Sequence, residues 1–119
     1  MLGFDNPMGT DGFEFVEYAA PDPALLRDLF EKMGFPVVAR HRRKDVTLHK
    51  QGDIHFIINA EADSFAQGFA REHGPCACAM AFRVKDAAAA FARAIELGAT
   101  PVTGDVGPTA ESVAHQVGI

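Results

Sequence analysis

Residues 85–98 read KDAAAAFARAIELG, which has the marks of one short helix: an Asp cap, a run of alanine and a closing glycine. The same outline occurs earlier in the chain, at residues 21–34, as PDPALLRDLFEKMG. The two capping residues, Asp22 and Asp86, are separated by 64 positions (22 to 86), and the two closing glycines by the same spacing (34 to 98). The sequence therefore predicts a structural unit that is used twice.

The segments around these helices alternate in polarity or are rich in β-branched and aromatic residues, which predicts strands. Strands are predicted at 12–20, 35–43, 45–52, 53–61 and 76–84, and helices are predicted to begin at Asp22, at Asp63 or Ser64, and at Asp86. We therefore predict an α+β fold of tandem βαβββ modules in a single domain, residues 1–119. Module 1 spans about 12–61, a linker helix spans 63–74, and module 2 spans about 76–119.

The second module is expected to be incomplete at its C-terminus. If the spacing of 64 holds, its third strand falls at 109–115 and its fourth at 118–124, whereas the chain has 119 residues. Further strands are accordingly predicted only within 99–104 and 110–117. A missing strand leaves a sheet edge unpaired, and such edges recruit another chain. We therefore expect a homo-oligomer, with strand exchange as one route to it.

Composition excludes several classes of partner. The formal net charge of −5 argues against nucleic acid and anionic membranes, and no apolar stretch approaches the length of a membrane span. The one basic cluster, Arg40–Lys44, lies between two predicted strands and is interpreted as a solvated hairpin tip. The N-terminus lacks the features of a signal peptide, and Cys76 and Cys78 favour reduced thiols in a cytoplasmic protein.

Two strand–helix–strand–strand–strand modules in tandem resemble the vicinal oxygen chelate superfamily, which includes glyoxalase I, bleomycin-resistance proteins and extradiol dioxygenases. A more specific likeness lies in long phrases, among them NPMGTDGFEFVEYAAPDPALLRDLFEKMGF (6–35), VARHRRKDVTLHKQGDIHFIINAE (38–61) and CAMAFRVKDAAAAFARAIELGA (78–99). Over roughly residues 6–119 the chain resembles the N-terminal domain of the bacterial 4-hydroxyphenylpyruvate dioxygenase family.

The resemblance implies an enzyme whose chemistry lies elsewhere. The full enzymes of this family are Fe(II)-dependent and convert 4-hydroxyphenylpyruvate and O2 into homogentisate and CO2 in tyrosine catabolism. Their iron is held by two His and one carboxylate of a C-terminal catalytic domain. The resemblance therefore implies no cofactor in this chain and an inactive isolated domain. Two alternatives stay open: a stand-alone glyoxalase- or bleomycin-resistance-like small-molecule binding protein, and a glyoxalase-type metal isomerase.

Superfamily register gives a test for a metal site. The ligand position of the first strand falls on Glu14 and that of the fourth strand near His55, while the second module offers Ala79. If QGD (51–53) is a three-residue loop, His49 lies directly across the hairpin from His55, and both share a face with Thr47, Ile57 and Asn59. Two facing imidazoles with Glu14 would suit Zn or Ni, although a solvated polar strand face explains the same pattern.

An open catalytic metal site usually needs three protein ligands, so we predict no metal, with Glu14, His49 and His55 as ligand-like positions. For nucleophilic catalysis by Cys76 or Cys78, the sequence shows no nearby base.

Overall fold

The computed structural model describes residues 5–100. The strands in this part of the chain are β1 (Thr10–Ala19), β2 (Val37–Arg40), β3 (Val46–Gln51), β4 (Ile54–Asn59) and β5 (Cys76–Val84), and the helices are α1 (Pro23–Lys32), α2 (Phe65–His73) and α3 (Ala87–Glu96). Their type and order confirm the predicted α+β fold. The strands predicted within 99–104 and 110–117, apart from residues 99 and 100, lie outside the described residues, and so does the predicted truncation of the second module.

The described residues belong to two compact units, one of residues 13–81 and one of residues 5–12 with 82–100. In the first unit the strands form one sheet with the order β2-β3-β4-β1-β5. β3 and β4 form an antiparallel hairpin, whereas β1 runs parallel to β4, with Val16 opposite Phe56. A parallel pair requires a long crossover, and α1, β2 and β3 together supply it.

The second unit contains α3. Asp86 caps this helix by accepting a hydrogen bond from the Ala89 N–H at 3.0 Å. The segment before the helix is tied to the N-terminal residues, because the Lys85 N–H donates to the Gly9 carbonyl at 3.1 Å and the Arg83 guanidinium donates to the Asp11 carbonyl at 2.7 Å. Gly9 adopts a positive φ of 66° at this close approach, a conformation in which a larger side chain would be strained.

The repeated helix is confirmed in detail. α1 begins at Pro23 and ends at Lys32, and α3 begins at Ala87 and ends at Glu96, so both ends keep the spacing of 64. Asp22 caps α1 by accepting from the Ala24 N–H, which is the role that Asp86 has in α3. Each helix is followed by a glycine with positive φ, 85° at position 34 and 94° at position 98.

One side of the sheet, called here the α1 side, carries an aromatic core. The ring centroid of Phe30 in α1 lies 5.1 Å from that of Tyr18 and 5.3 Å from that of Phe56. Phe35 stacks on Phe56 at 4.4 Å. Ile58 is fully buried in the same cluster, and burial of one such side chain stabilises the fold by about 1.5–3 kcal/mol. This cluster fixes α1 against β1 and β4.

The other side of the sheet, called here the α2 side, is covered in part by α2. Ala66 and Ala70 of this helix pack against Ala19 of β1 and Cys78 of β5. The Gln67 side-chain amide donates to the backbone carbonyls of Ala20 and Asn59, at 3.2 Å and 3.0 Å. α2 therefore joins the C-terminal ends of the two parallel strands.

Hydrogen bonds identify the residue that caps α2 and the role of His41 in the turn of the basic cluster. Ser64, and not Asp63, caps α2, because its hydroxyl accepts from the Gln67 N–H at 3.1 Å. The predicted hairpin tip at Arg40–Lys44 is confirmed: Arg40 is the last residue of β2, and residues 41–45 connect it to β3. The His41 Nδ1 accepts from the Arg43 and Lys44 N–H groups at 3.1 Å each, so this imidazole serves the turn.

Candidate functional site

The hairpin register separates the two histidines that the sequence predicted to face each other. Gln51 pairs with Ile54, so the loop has two residues, and His49 lies opposite Phe56. Gly52 has a positive φ of 56°, as the first loop residue of a two-residue hairpin of this kind requires. A shift of one residue turns a side chain to the other side of a sheet. The predicted pairing of His49 with His55 is therefore wrong, and His55 lies opposite Lys50.

His49 belongs to the core. Its side chain has no exposed area, and Phe30 packs edge-on against its ring at 5.5 Å. The Nδ1 atom lies 2.9 Å from the Phe35 carbonyl, which can only accept, so Nδ1 carries the proton. In the neutral ring Nε2 then accepts from the Thr47 hydroxyl at 3.1 Å. Since both ring nitrogens have partners and the ring is buried, His49 is a structural residue and is not available to a metal.

The three ligand-like positions do not converge. Glu14 alternates in β1 with Val16 and Tyr18, and the Tyr18 ring lies on the α1 side, whereas His55 alternates in β4 with Asn59 on the α2 side. Within residues 5–100 no group of three or more His, Cys, Asp and Glu side chains is arranged to hold a metal ion. The residues that the structure describes therefore do not fit the iron site of the enzyme family that the sequence resembles.

The α2 side holds a polar cluster that the sequence analysis missed, formed by Glu17, Cys78 and Asn59. The Cys78 thiol lies 3.5 Å from the Glu17 carboxylate and 3.5 Å from the Glu17 carbonyl oxygen. Burial raises the pKa of Glu17 above its ordinary value of 4.5, and hydrogen bonds from Cys78 and Asn59 oppose this rise. Burial, together with the negative charge of Glu17, raises the pKa of Cys78 to about 12.

The sequence shows no base near Cys76 or Cys78, whereas the structure places the Glu17 carboxylate beside Cys78. Glu17 is adjacent to Cys78 because β5 lies beside β1, and strand order of this kind is not contained in the sequence of either strand. The chemistry is nevertheless that of a protonated thiol. A thiol with a pKa near 12 is almost entirely un-ionised at neutral pH, and the thiolate is the nucleophilic form. The arrangement therefore argues against a catalytic cysteine.

A shallow apolar depression of about 320 Å³ lies where β1 and β4 begin. Because the two strands are parallel, their N-terminal halves lie at the same end of the sheet. The depression is lined by Phe13, Phe15, Val16, Asp53, Ile54, His55 and Phe56. His55, one of the ligand-like positions predicted from the sequence, is among these lining residues, and its neighbours there are mainly apolar. Such a surface suits a small apolar or aromatic molecule.

None of the helices within residues 5–100 is long and apolar enough to cross a membrane. Both cysteines in this part of the chain are free and half-buried, and their reduced state stays a prediction.

Comparison with known proteins confirms the resemblance predicted from the sequence. The family model described as hydroxyphenylpyruvate dioxygenase, HPPD, N-terminal matches residues 4–119. A 4-hydroxyphenylpyruvate dioxygenase from Pseudomonas sp. (strain P.J. 874) is 55% identical over 105 residues, which cover 88% of this chain and 29% of that relative. The chain thus spans less than a third of the length of this relative.

Solved structures support the same fold. A xylose isomerase-like TIM barrel/4-hydroxyphenylpyruvate dioxygenase fusion protein matches with a TM-score of 0.75 and 41% identity, over 88% of this chain and 17% of that chain. Methylmalonyl-CoA epimerase from Mycobacterium tuberculosis matches with a TM-score of 0.69 over 90% of this chain and 77% of that chain. The epimerase is only 17% identical, so it supports the glyoxalase-like fold alone.

Proposed function

Because the chain belongs to the family of hydroxyphenylpyruvate dioxygenase N-terminal domains, we propose that it forms the non-iron N-terminal part of a 4-hydroxyphenylpyruvate dioxygenase. The observation that carries this proposal is the family match over residues 4–119. On this proposal the whole enzyme uses Fe(II) and O2 to convert 4-hydroxyphenylpyruvate into homogentisate and CO2 in tyrosine catabolism. The iron ligands belong to a C-terminal catalytic domain, and this chain by itself does not turn over substrate.

The geometry supports a structural role for this domain. His49 has both ring nitrogens engaged in the core, and Glu14 and His55 lie on opposite sides of the sheet. The Glu17 carboxylate accepts hydrogen bonds from Cys78 and Asn59. Phe30 of α1 packs on His49, and Gln67 of α2 donates to the Asn59 carbonyl, so these contacts hold the two helices on the sheet.

An exchange of domains tests the proposal. The segment of the Pseudomonas sp. (strain P.J. 874) dioxygenase that matches this chain would be replaced by the chain, and homogentisate formation and O2 uptake would be measured. At 55% identity we expect the hybrid to retain turnover within about tenfold of the parent, since a tenfold loss corresponds to only about 1.4 kcal/mol. A hybrid that carries a methylmalonyl-CoA epimerase in this place has the same fold and serves as the control, expected to be inactive.

A folded hybrid without turnover would contradict the proposal, because the parent's catalytic domain is intact in it. The isolated 119-residue chain provides a second test: we expect it neither to retain stoichiometric iron nor to consume 4-hydroxyphenylpyruvate. Iron in a 1:1 ratio that is lost on His55→Ala would instead favour a metal enzyme of the glyoxalase type.

A second candidate function, a small-molecule binding protein of the bleomycin-resistance type, is supported by the depression at the start of β1 and β4. Titration of the chain with 4-hydroxyphenylpyruvate, followed by two-dimensional NMR, tests it. Saturable shifts confined to residues around His55 and Phe15, and weakened by His55→Ala, would favour this candidate.

The proposal also includes a cytoplasmic location, which the two free cysteines support because thiols persist in reducing compartments.

A further inference from the structure

The depression at the start of β1 and β4 carries polar groups that the fold leaves unused. All of its lining residues belong to the unit of residues 13–81, so the depression lies within one unit. Among residues 5–100 the Asp53 carboxylate and the His55 ring take part in no hydrogen bond or ion pair. The other histidines of this part of the chain each have a polar partner, namely His41, His49 and His73. A few polar groups set among apolar walls are typical of small-molecule sites.

The charge of the lining residues indicates the charge of the ligand. Asp53 is the acidic residue among them, and none of them is Lys or Arg. Lys50 lies opposite His55 on β3 but does not line the depression. The chain as a whole has a formal net charge of −5, which raises the concentration of cations at its surface. A carboxylate in such a setting attracts a cationic ligand and repels an anionic one.

Aromatic rings supply the rest of the lining. Phe13, Phe15 and Phe56 border the same depression, together with the aliphatic Ile54. Phe13 is 56% exposed and Ile54 is 51% exposed, so a molecule can reach these walls from solvent. The face of an aromatic ring carries partial negative charge and attracts a cation, and aromatic rings also pack against one another. Phenylalanine walls beside a carboxylate therefore match a molecule that has both an aromatic ring and an ammonium group.

We propose that this depression binds small aromatic amines, with the ligand's ring against Phe13 and Phe15 and its ammonium group beside Asp53. The neutral His55 ring adds a nitrogen that accepts a hydrogen bond from the ammonium group. The inference rests on the second candidate function, small-molecule binding, and adds the charge and the chemical class of the ligand. Because the depression is shallow and Asp53 is exposed, binding is weak, with a Kd of about 1 mM.

Two probes with the same 4-hydroxyphenyl ring and opposite charges test the proposal: tyramine, a cation near pH 7, and 4-hydroxyphenylacetate, an anion. Each is titrated into the 119-residue chain and followed by two-dimensional NMR. We expect tyramine to shift the amides of the lining residues and to bind about tenfold more tightly than 4-hydroxyphenylacetate. Raising the salt concentration to about 0.5 M should reduce this preference, because it screens the exposed charge of Asp53.

Variants assign the preference to one side chain. Asp53→Asn keeps the size of the side chain and removes its charge, so we expect it to make the two dissociation constants equal within about twofold. Asp28→Asn removes an exposed carboxylate of α1 that does not line the depression, and as the matched control it should keep the tenfold preference. The ratio of the two constants is measured on one protein at a time, so a change in the folded fraction of a variant does not alter it.

The remaining outcomes separate this proposal from the second candidate function. Equal affinities for the two probes at the lining residues would overturn the proposal and leave small-molecule binding intact. A tenfold preference that persists in Asp53→Asn would overturn it as well. A preference for 4-hydroxyphenylacetate that is lost on Lys50→Gln would overturn it and assign recognition of a carboxylate to Lys50. Absence of saturable shifts with tyramine up to about 20 mM would overturn it whatever the titration with 4-hydroxyphenylpyruvate shows.

Discussion

At the residue scale, Glu17 makes the stability of the fold depend on pH. Burial raises the pKa of Glu17 above 4.5, so the folded state holds a proton that the unfolded chain releases. Below pH 4.5 this carboxyl is protonated in both states, and its contribution to stability is fully present. As pH rises from 4.5 through the raised pKa, the contribution is lost, because ionisation inside the fold is penalised.

We therefore expect Glu17→Gln to increase the free energy of unfolding at pH 7 and to have little effect below pH 4.5. The glutamine keeps an acceptor for the Cys78 thiol but does not ionise. Urea unfolding of both proteins between pH 4 and 8 measures the difference, and this difference isolates Glu17 because every other titrating group is shared. A difference that is constant across this range, or one that falls as pH rises, would contradict the assignment.

His49 provides the second prediction at this scale. His49→Ala leaves the Thr47 hydroxyl and the Phe35 carbonyl without their buried partner and opens a cavity beside Phe30. We expect a loss of about 3 kcal/mol in the free energy of unfolding, within the range for a buried polar residue with two hydrogen bonds. His55→Ala, at a half-buried position that is the second residue of β4, is the control and should cost less than about 1 kcal/mol. Equal losses would indicate that the hairpin register is different.

At the element scale, the boundaries of helices were easier to predict than the pairing of strands. Asp22, Asp86 and the glycines that follow α1 and α3 act through local hydrogen bonds and local backbone angles, which a sequence contains. The QGD turn allowed loops of two or three residues, and only the register observed between β3 and β4 decides between them. This difference of one residue places His49 in the core and not on the sheet face that it was predicted to share with His55.

The start of α2 illustrates the same point with a testable consequence. Asp63 and Ser64 are both good capping residues, and the structure selects Ser64, whose hydroxyl accepts from Gln67 and donates to the Glu61 carbonyl at 2.7 Å. We expect Ser64→Ala to lower the free energy of unfolding by about 1 kcal/mol. Asp63→Ala, at an exposed position, should change it by no more than about 0.5 kcal/mol. Thermal or urea unfolding measures the change in stability of both variants. A larger loss for Asp63→Ala than for Ser64→Ala would assign the cap of α2 to Asp63.

At the scale of the whole molecule, the internal repeat predicted the order of elements, whereas strand neighbours required the structure. The repeat predicted that β5 and α3 follow the pattern of β1 and α1, and this holds to the residue at both helix ends. It contained no information that β5 would lie beside β1, because non-local pairing depends on the packing of all elements together. The Glu17–Cys78 contact joins positions far apart in the chain and therefore could not be predicted from the sequence.

The distribution of buried residues leads to the last prediction. In residues 13–81 the core includes Phe30, Ile57, Ile58 and many others, whereas in the described part of the second unit Ala90 of α3 is the buried apolar residue. Segments with few buried contacts open with lower free energies than the core of a sheet. In hydrogen exchange we therefore expect amides of β3 and β4 to exchange at least about 100-fold more slowly than those of α3, which corresponds to about 2.7 kcal/mol. Exchange of both at one rate would mean that the two units open together, and the burial difference would then not control local stability.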